Sequence, residues 1–147
     1  MLIRLLYVMS LWLTSLTLWA QTGGNVWKSL ADVAIEDRYD ASVGYEVSYP
    51  VFGERAQVLD NQQGVVNVYM KPFEAYLKPK YFILSALPIA ACFFCGGAGP
   101  ETVMEVFSQN NIELSSEVIK LRGRLELNAD NPDHMMYILH DAKLLED

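Results

Sequence analysis

Glu117-Val118-Ile119-Lys120-Leu121-Arg122-Gly123-Arg124-Leu125-Glu126-Leu127 carries two interleaved sets of residues. Ile119, Leu121, Leu125 and Leu127 share one set with Gly123, while Lys120, Arg122, Arg124 and Glu126 share the other with Val118. A period of two is that of a half-buried strand. Gly123 falls where such a strand needs a bulge or a sharp coil. Asn128 to Asp133 supplies turn residues, and Met135 to Leu139 runs back toward Leu144, so this end of the chain reads as a β-hairpin.

Working toward the N-terminus, Gly99-Pro100-Glu101 is a helix-start signature, with Pro at the first helical position and an acid beside the positive end of the dipole. Val103, Met104, Val106 and Phe107 then form an apolar stripe, which predicts a helix of about ten residues ending near Asn110-Asn111. Before it, Lys78-Pro79-Lys80 predicts a turn and Tyr81 to Ala86 a buried strand. Ala56 to Leu59 and Val65 to Met70 predict a further hairpin across Asp60 to Gly64, with Pro72 ending its regular pairing. The expected fold is thus mainly β with one helix. Five short strands with a helix between the third and fourth is the element order of the OB-fold, a small partly open Greek-key barrel. Another small β-barrel, or an α+β roll, has the same elements.

Upstream, Trp27, Leu30, Val33 and Ala34 suggest a helical turn or two, and Val43 to Tyr49 alternates as an extended segment leading to Pro50. Residues 21–50 read as an N-terminal extension and 51–147 as the OB-like domain. Met1 to Arg4, the apolar run Leu5 to Leu18 and the small residue Ala20 read as a secretory signal peptide over 1–20. The run is shorter than the roughly 20 residues that span a bilayer, and no cysteine follows for acylation. The expected product is a periplasmic or otherwise exported protein without stable membrane insertion.

The chain has 147 residues, 52% of them apolar, and a formal net charge of −7. It is too apolar for disorder, too acidic for an ordinary nucleic-acid partner and too short for more than one sizeable core. An exported protein meets an oxidising compartment, so Cys92 and Cys95 are read against a default of disulfide formation.

Trp27-Lys28-Ser29-Leu30, Pro50-Val51-Phe52, the extended Val65 to Met70 and above all Cys92-Phe93-Phe94-Cys95-Gly96-Gly97-Ala98-Gly99-Pro100-Glu101 carry a resemblance. The chain resembles a family of small exported Gram-negative proteins built on a domain of unknown function, generally treated as OB-like. More distant members of the group carry Cys-x-His followed by prolines in this loop, where this chain has Cys-x-x-Cys followed by glycines. An exchange of Cys for His suits metal ligation better than a disulfide. The resemblance implies no activity.

Two thiols spaced by two residues can ligate a soft or borderline metal ion, cycle between dithiol and disulfide, or stay oxidised as a structural ring. A closed zinc site needs two more ligands. Glu101 and Glu105 would share one face of the expected helix. His134 and His140 would lie roughly 20 Å apart on an extended strand, so at most one joins the thiols. The candidate metal ligands are therefore Cys92, Cys95, Glu101 and His134, with zinc as the expected ion. Redox chemistry gains little support, because Gly96 to Gly99 separates Cys95 from the expected helix start, and the dipole acts within about one turn. Gly96 to Gly99 lacks the Lys-Ser or Lys-Thr of a phosphate-binding loop, and no Ser/His/Asp or paired-carboxylate pattern is present. No catalytic residues are assigned. The leading expectation is a non-enzymatic binding or accessory protein taking a thiophilic metal ion. The alternatives are a thiol–disulfide redox protein, or a protein-interaction module with a structural disulfide and an unknown periplasmic protein as partner.

Overall fold

The computed structural model describes residues 26–69, 80–112 and 118–145. The expected signal peptide, the lead-in Gln21 to Asn25 and the segment holding Pro72 and Pro79 lie outside the described residues. The described part is mainly β, with seven strands in two sheets and two short helices. The elements are α1 (Val26–Leu30), β1 (Val33–Asp40), β2 (Tyr45–Phe52), α2 (Glu54–Gln57), β3 (Gln63–Tyr69), β4 (Tyr81–Ser85), β5 (Val103–Ser108), β6 (Val118–Leu127) and β7 (Tyr137–Leu145). No helix among the described residues is long and apolar enough to cross a membrane.

β1 and β2 form a hairpin of their own, turned at Gly44 with φ +81°. The other five strands form a second sheet. β6 pairs antiparallel with β7 and, on its other side, with β3 over Gln63 to Tyr69. β7 runs parallel to β5, β5 antiparallel to β4, and β4 meets β3 at the one pair Ser85 and Tyr69.

The alternation of β6 sorts as expected: Leu121 and Leu125 are buried, and Lys120 and Arg122 are exposed. At Gly123 the register against β7 slips between Arg122 and Arg124. A Cβ there would stand 2.6 Å from the His140 carbonyl oxygen and 2.8 Å from Leu139 Cγ, so the close approach of the two strands requires glycine. Opposite it, Asp141 takes a positive φ of 53°.

Two expected elements are corrected. Residues 103–108 are a strand and not a helix; Pro100–Thr102 makes only a single 3-10 turn before β5. β5 lies between β4 and β7 and is buried on both faces, and a continuous apolar run of that kind has no periodicity to separate strand from helix. Ala56 to Leu59 is not a strand either. Gly53 breaks the extended chain, its carbonyl accepts from the Ala56 and Gln57 N–H groups, and Asp32 accepts from the Arg55 N–H, which winds α2. The hairpin expected across Asp60 to Gly64 is therefore absent; Asn61 takes the left-handed conformation at φ 58°, and Gly64 sits within β3.

The core is filled from the inner face of the five-stranded sheet by Val66, Val68, Phe82, Leu84, Met104, Val106, Leu121, Leu125, Tyr137 and Leu139. α1 adds Trp27 and Leu30. Both are tied to the sheet: the Trp27 indole N–H donates to the Asn67 carbonyl at 2.9 Å, and the buried Tyr137 hydroxyl donates to the Leu30 carbonyl. Burial, reinforced by the Glu101 carboxylate, pushes the Tyr137 phenol well above its ordinary range, so it stays protonated and can donate. Residues of the 21–50 segment thus supply part of the same core.

Candidate functional site

β4 and β5 are joined by a loop of three 3-10 turns, closed at its base where the Ala86 N–H donates to the Thr102 carbonyl at 2.8 Å. The cysteines occupy its middle turn. Cys92 is extended, and its carbonyl accepts from the Cys95 N–H at 3.1 Å and the Gly97 N–H at 3.2 Å. Gly96 follows in the left-handed region at φ +76°, which favours glycine. Gly97 lies so close to Ala91 that a Cβ would meet its Cα at 2.8 Å. The glycines after Cys95 are thus explained by the turn that wraps back over Cys92.

Cys92 is buried and Cys95 exposed, and neither is in a disulfide. Desolvation, followed by the neighbouring Cys92 thiol, pushes the Cys95 thiol above its ordinary value. A raised thiol holds less thiolate at neutral pH, which works against nucleophilic exchange. The Phe93 and Phe94 rings meet edge to face at 5.3 Å, with Phe93 half-buried and Phe94 exposed.

The two other expected ligands are engaged elsewhere. Glu101 folds back over Gly99, and its charge acts on Tyr137. His134 is held by Glu105: its Nδ1 lies 2.9 and 3.0 Å from the two carboxylate oxygens. Among the described residues no three or more His, Cys, Asp or Glu side chains gather around one point. Cys92, Cys95, Glu101 and His134 are therefore not brought together as one ligand set.

Glu105 is the residue that the sequence reading misplaced, by putting it beside Glu101 on a helix. On β5 it points to the outer face, yet it is 1% exposed. A buried carboxylate needs partners, and it has the His134 ring together with the Met135 N–H at 3.2 Å. His140 makes a similar pair with Glu126 at 2.7 Å. Phe107 lies between the histidines, stacked on His140 at 5.6 Å and tilted toward His134 at 6.2 Å. The expected separation of roughly 20 Å along a strand fails because His134 sits in the turn before β7 and only His140 is on the strand. Each imidazole has one nitrogen bound to a carboxylate, an arrangement that fixes ring orientation. The first pair ties the 128–136 turn to β5, and the second joins β7 to β6.

An open cleft of about 500 Å³ lies elsewhere, lined by Arg38, Val51, Phe52, Asp60, Leu127 and Asp130 among others. Asp60 there accepts from the Leu127 N–H at 2.9 Å, so it serves the fold.

Comparison of the chain with family models, with curated proteins and with solved structures finds no match in any of the three.

Proposed function

We propose that this is an exported binding or accessory protein on an OB-like barrel, and that its Cys92/Cys95 loop takes one thiophilic metal ion. The OB-like reading is supported by the strand order β3-β4-β5-β7-β6 and by the parallel pairing of β5 with β7, the connection that a five-stranded Greek-key barrel requires. The metal reading rests on one observation: two unbridged thiols on one short backbone turn that closes on Cys92.

Two thiolates, with no cluster of three or more His, Cys, Asp or Glu side chains among the described residues, suit a soft ion content with few ligands, such as Cu(I), better than a closed four-ligand zinc site. Zinc would bind here with solvent or another molecule completing its shell. The raised Cys95 thiol slows nucleophilic exchange, and because a metal ion must displace the same proton it makes metal binding depend on pH.

The test is an anaerobic titration of the reduced protein with Cu(I) against a chromophoric chelator, alongside zinc. One Cu(I) per chain is expected, held more tightly than zinc, with binding lost in Cys92→Ser and in Cys95→Ser. Affinity should fall with pH by up to about tenfold per unit for each proton displaced. Failure of the reduced protein to take up either ion would refute the metal reading. Isolation with no free thiols and a disulfide that small thiols do not open would leave a structural ring in an interaction domain.

A further inference from the structure

β1 and β2 pair with each other along all eight positions and with no other strand among the described residues. Their register sets Glu36, Arg38 and Asp40 on one face with Tyr49, Val47 and Tyr45. That face satisfies itself: Arg38 pairs with Glu36 at 3.4 Å and lies over the Tyr49 ring at 5.7 Å, and the Tyr49 hydroxyl donates to Asp40 at 2.9 Å. The opposite face carries Ile35, Asp37 and Tyr39 with Pro50, Ser48 and Glu46. There Ile35 and Tyr39 are 47% and 69% exposed, and Val43 in the turn is exposed as well. The Ile35 and Tyr39 side chains gain little from the arm's own fold, which suits that face to docking. Asp37 and Glu46 give that face a negative charge, so two such arms repel each other.

The same chain carries the complementary surface. Lys120, Arg122 and Arg124 alternate onto the outer face of β6, and the register with β7 sets Lys143 beside Arg122 and Leu145 beside Lys120. Four of the eleven basic residues of an acidic chain thus share one strip, with Val65 and Asn67 of β3 beside it. Cations with aliphatic stems suit the exposed Tyr39 ring beside the Asp37 and Glu46 carboxylates, through cation–π contact as well as charge.

We propose that the β1–β2 arm of one molecule docks on the outer β6–β7 face of a second copy. The contact joins two different surfaces, so it adds copies head to tail and ends only where a ring closes. Net charge of like sign opposes the approach at long range, which makes the contact local, weak and strongly dependent on salt.

The experiment is sedimentation equilibrium on the whole protein, from about 10 µM to about 1 mM, the range in which weak contacts saturate. In dilute buffer the average mass should rise with concentration beyond that of one chain. It should return to that of one chain at about 0.5 M salt, where the Debye length is only about 4 Å. Asp37→Lys with Glu46→Lys should abolish the rise, as should Arg122→Glu with Lys143→Glu, each variant melting cooperatively as a folding control. Mixing the two variants should restore a complex, because the unaltered arm of one meets the unaltered face of the other and the two reversed surfaces match as well. A single-chain mass at every concentration in dilute buffer would overturn the proposal and leave the arm to a different partner. Association that survives both charge reversals would also overturn it.

Discussion

Glu105 shows how one residue can stabilise the fold at a position where its neighbours are apolar. A carboxylate at 1% exposure survives only with its lone pairs occupied, and His134 supplies most of that. His134→Ala should therefore cost about 1 to 3 kcal/mol, well beyond the roughly 0.5 kcal/mol of an ordinary exposed substitution; chemical denaturation would measure it. Asp32 works at the surface. The Arg55 side chain and N–H donate to it and hold its carboxyl below the ordinary carboxylate value. Because the folded value is the lower one, this stabilisation is present above about pH 4 and is lost as pH falls through the folded value. The melting-temperature gap between wild type and Asp32→Asn should accordingly close on acidification below pH 4. Neither partnership was legible in the sequence, since 29 residues separate Glu105 from His134 and 23 separate Asp32 from Arg55.

Among the elements, those with one wet face were legible and those without one were not. β6 alternates because Lys120 and Arg122 face water while Leu121 and Leu125 face the core, and the Gly123 slip could be anticipated from a glycine within that alternation. β5 has Met104 and Val106 toward the core and Val103 and Glu105 buried on the other side, so its pattern imitates a helix behind Pro100. The thiol pair of the cysteine loop was legible, but the placement of Glu101 and His134 away from it was not. α1 was legible as a helical turn, although its energetic weight was not. Leu30 is fully buried beside the Tyr137 contact. Leu30→Ala should cost about 2 to 5 kcal/mol, as large as a central sheet substitution, and thermal melts would show it as one shifted cooperative transition. A separate early transition for the N-terminal segment would contradict a shared core.

At the scale of the molecule, three surfaces stand apart: a dithiol loop between β4 and β5, a hairpin that pairs only with itself among the described residues, and a basic outer strip on β6 and β7. Only the first carries chemistry beyond charge and packing, so the account of function depends on it. The most direct test is X-ray absorption at the copper edge of the reduced, Cu(I)-loaded protein. The account predicts a first shell of two sulfur neighbours from Cys92 and Cys95, with no imidazole contribution from His134 or His140. A shell dominated by nitrogen or oxygen, or one unchanged in Cys95→Ser, would contradict it.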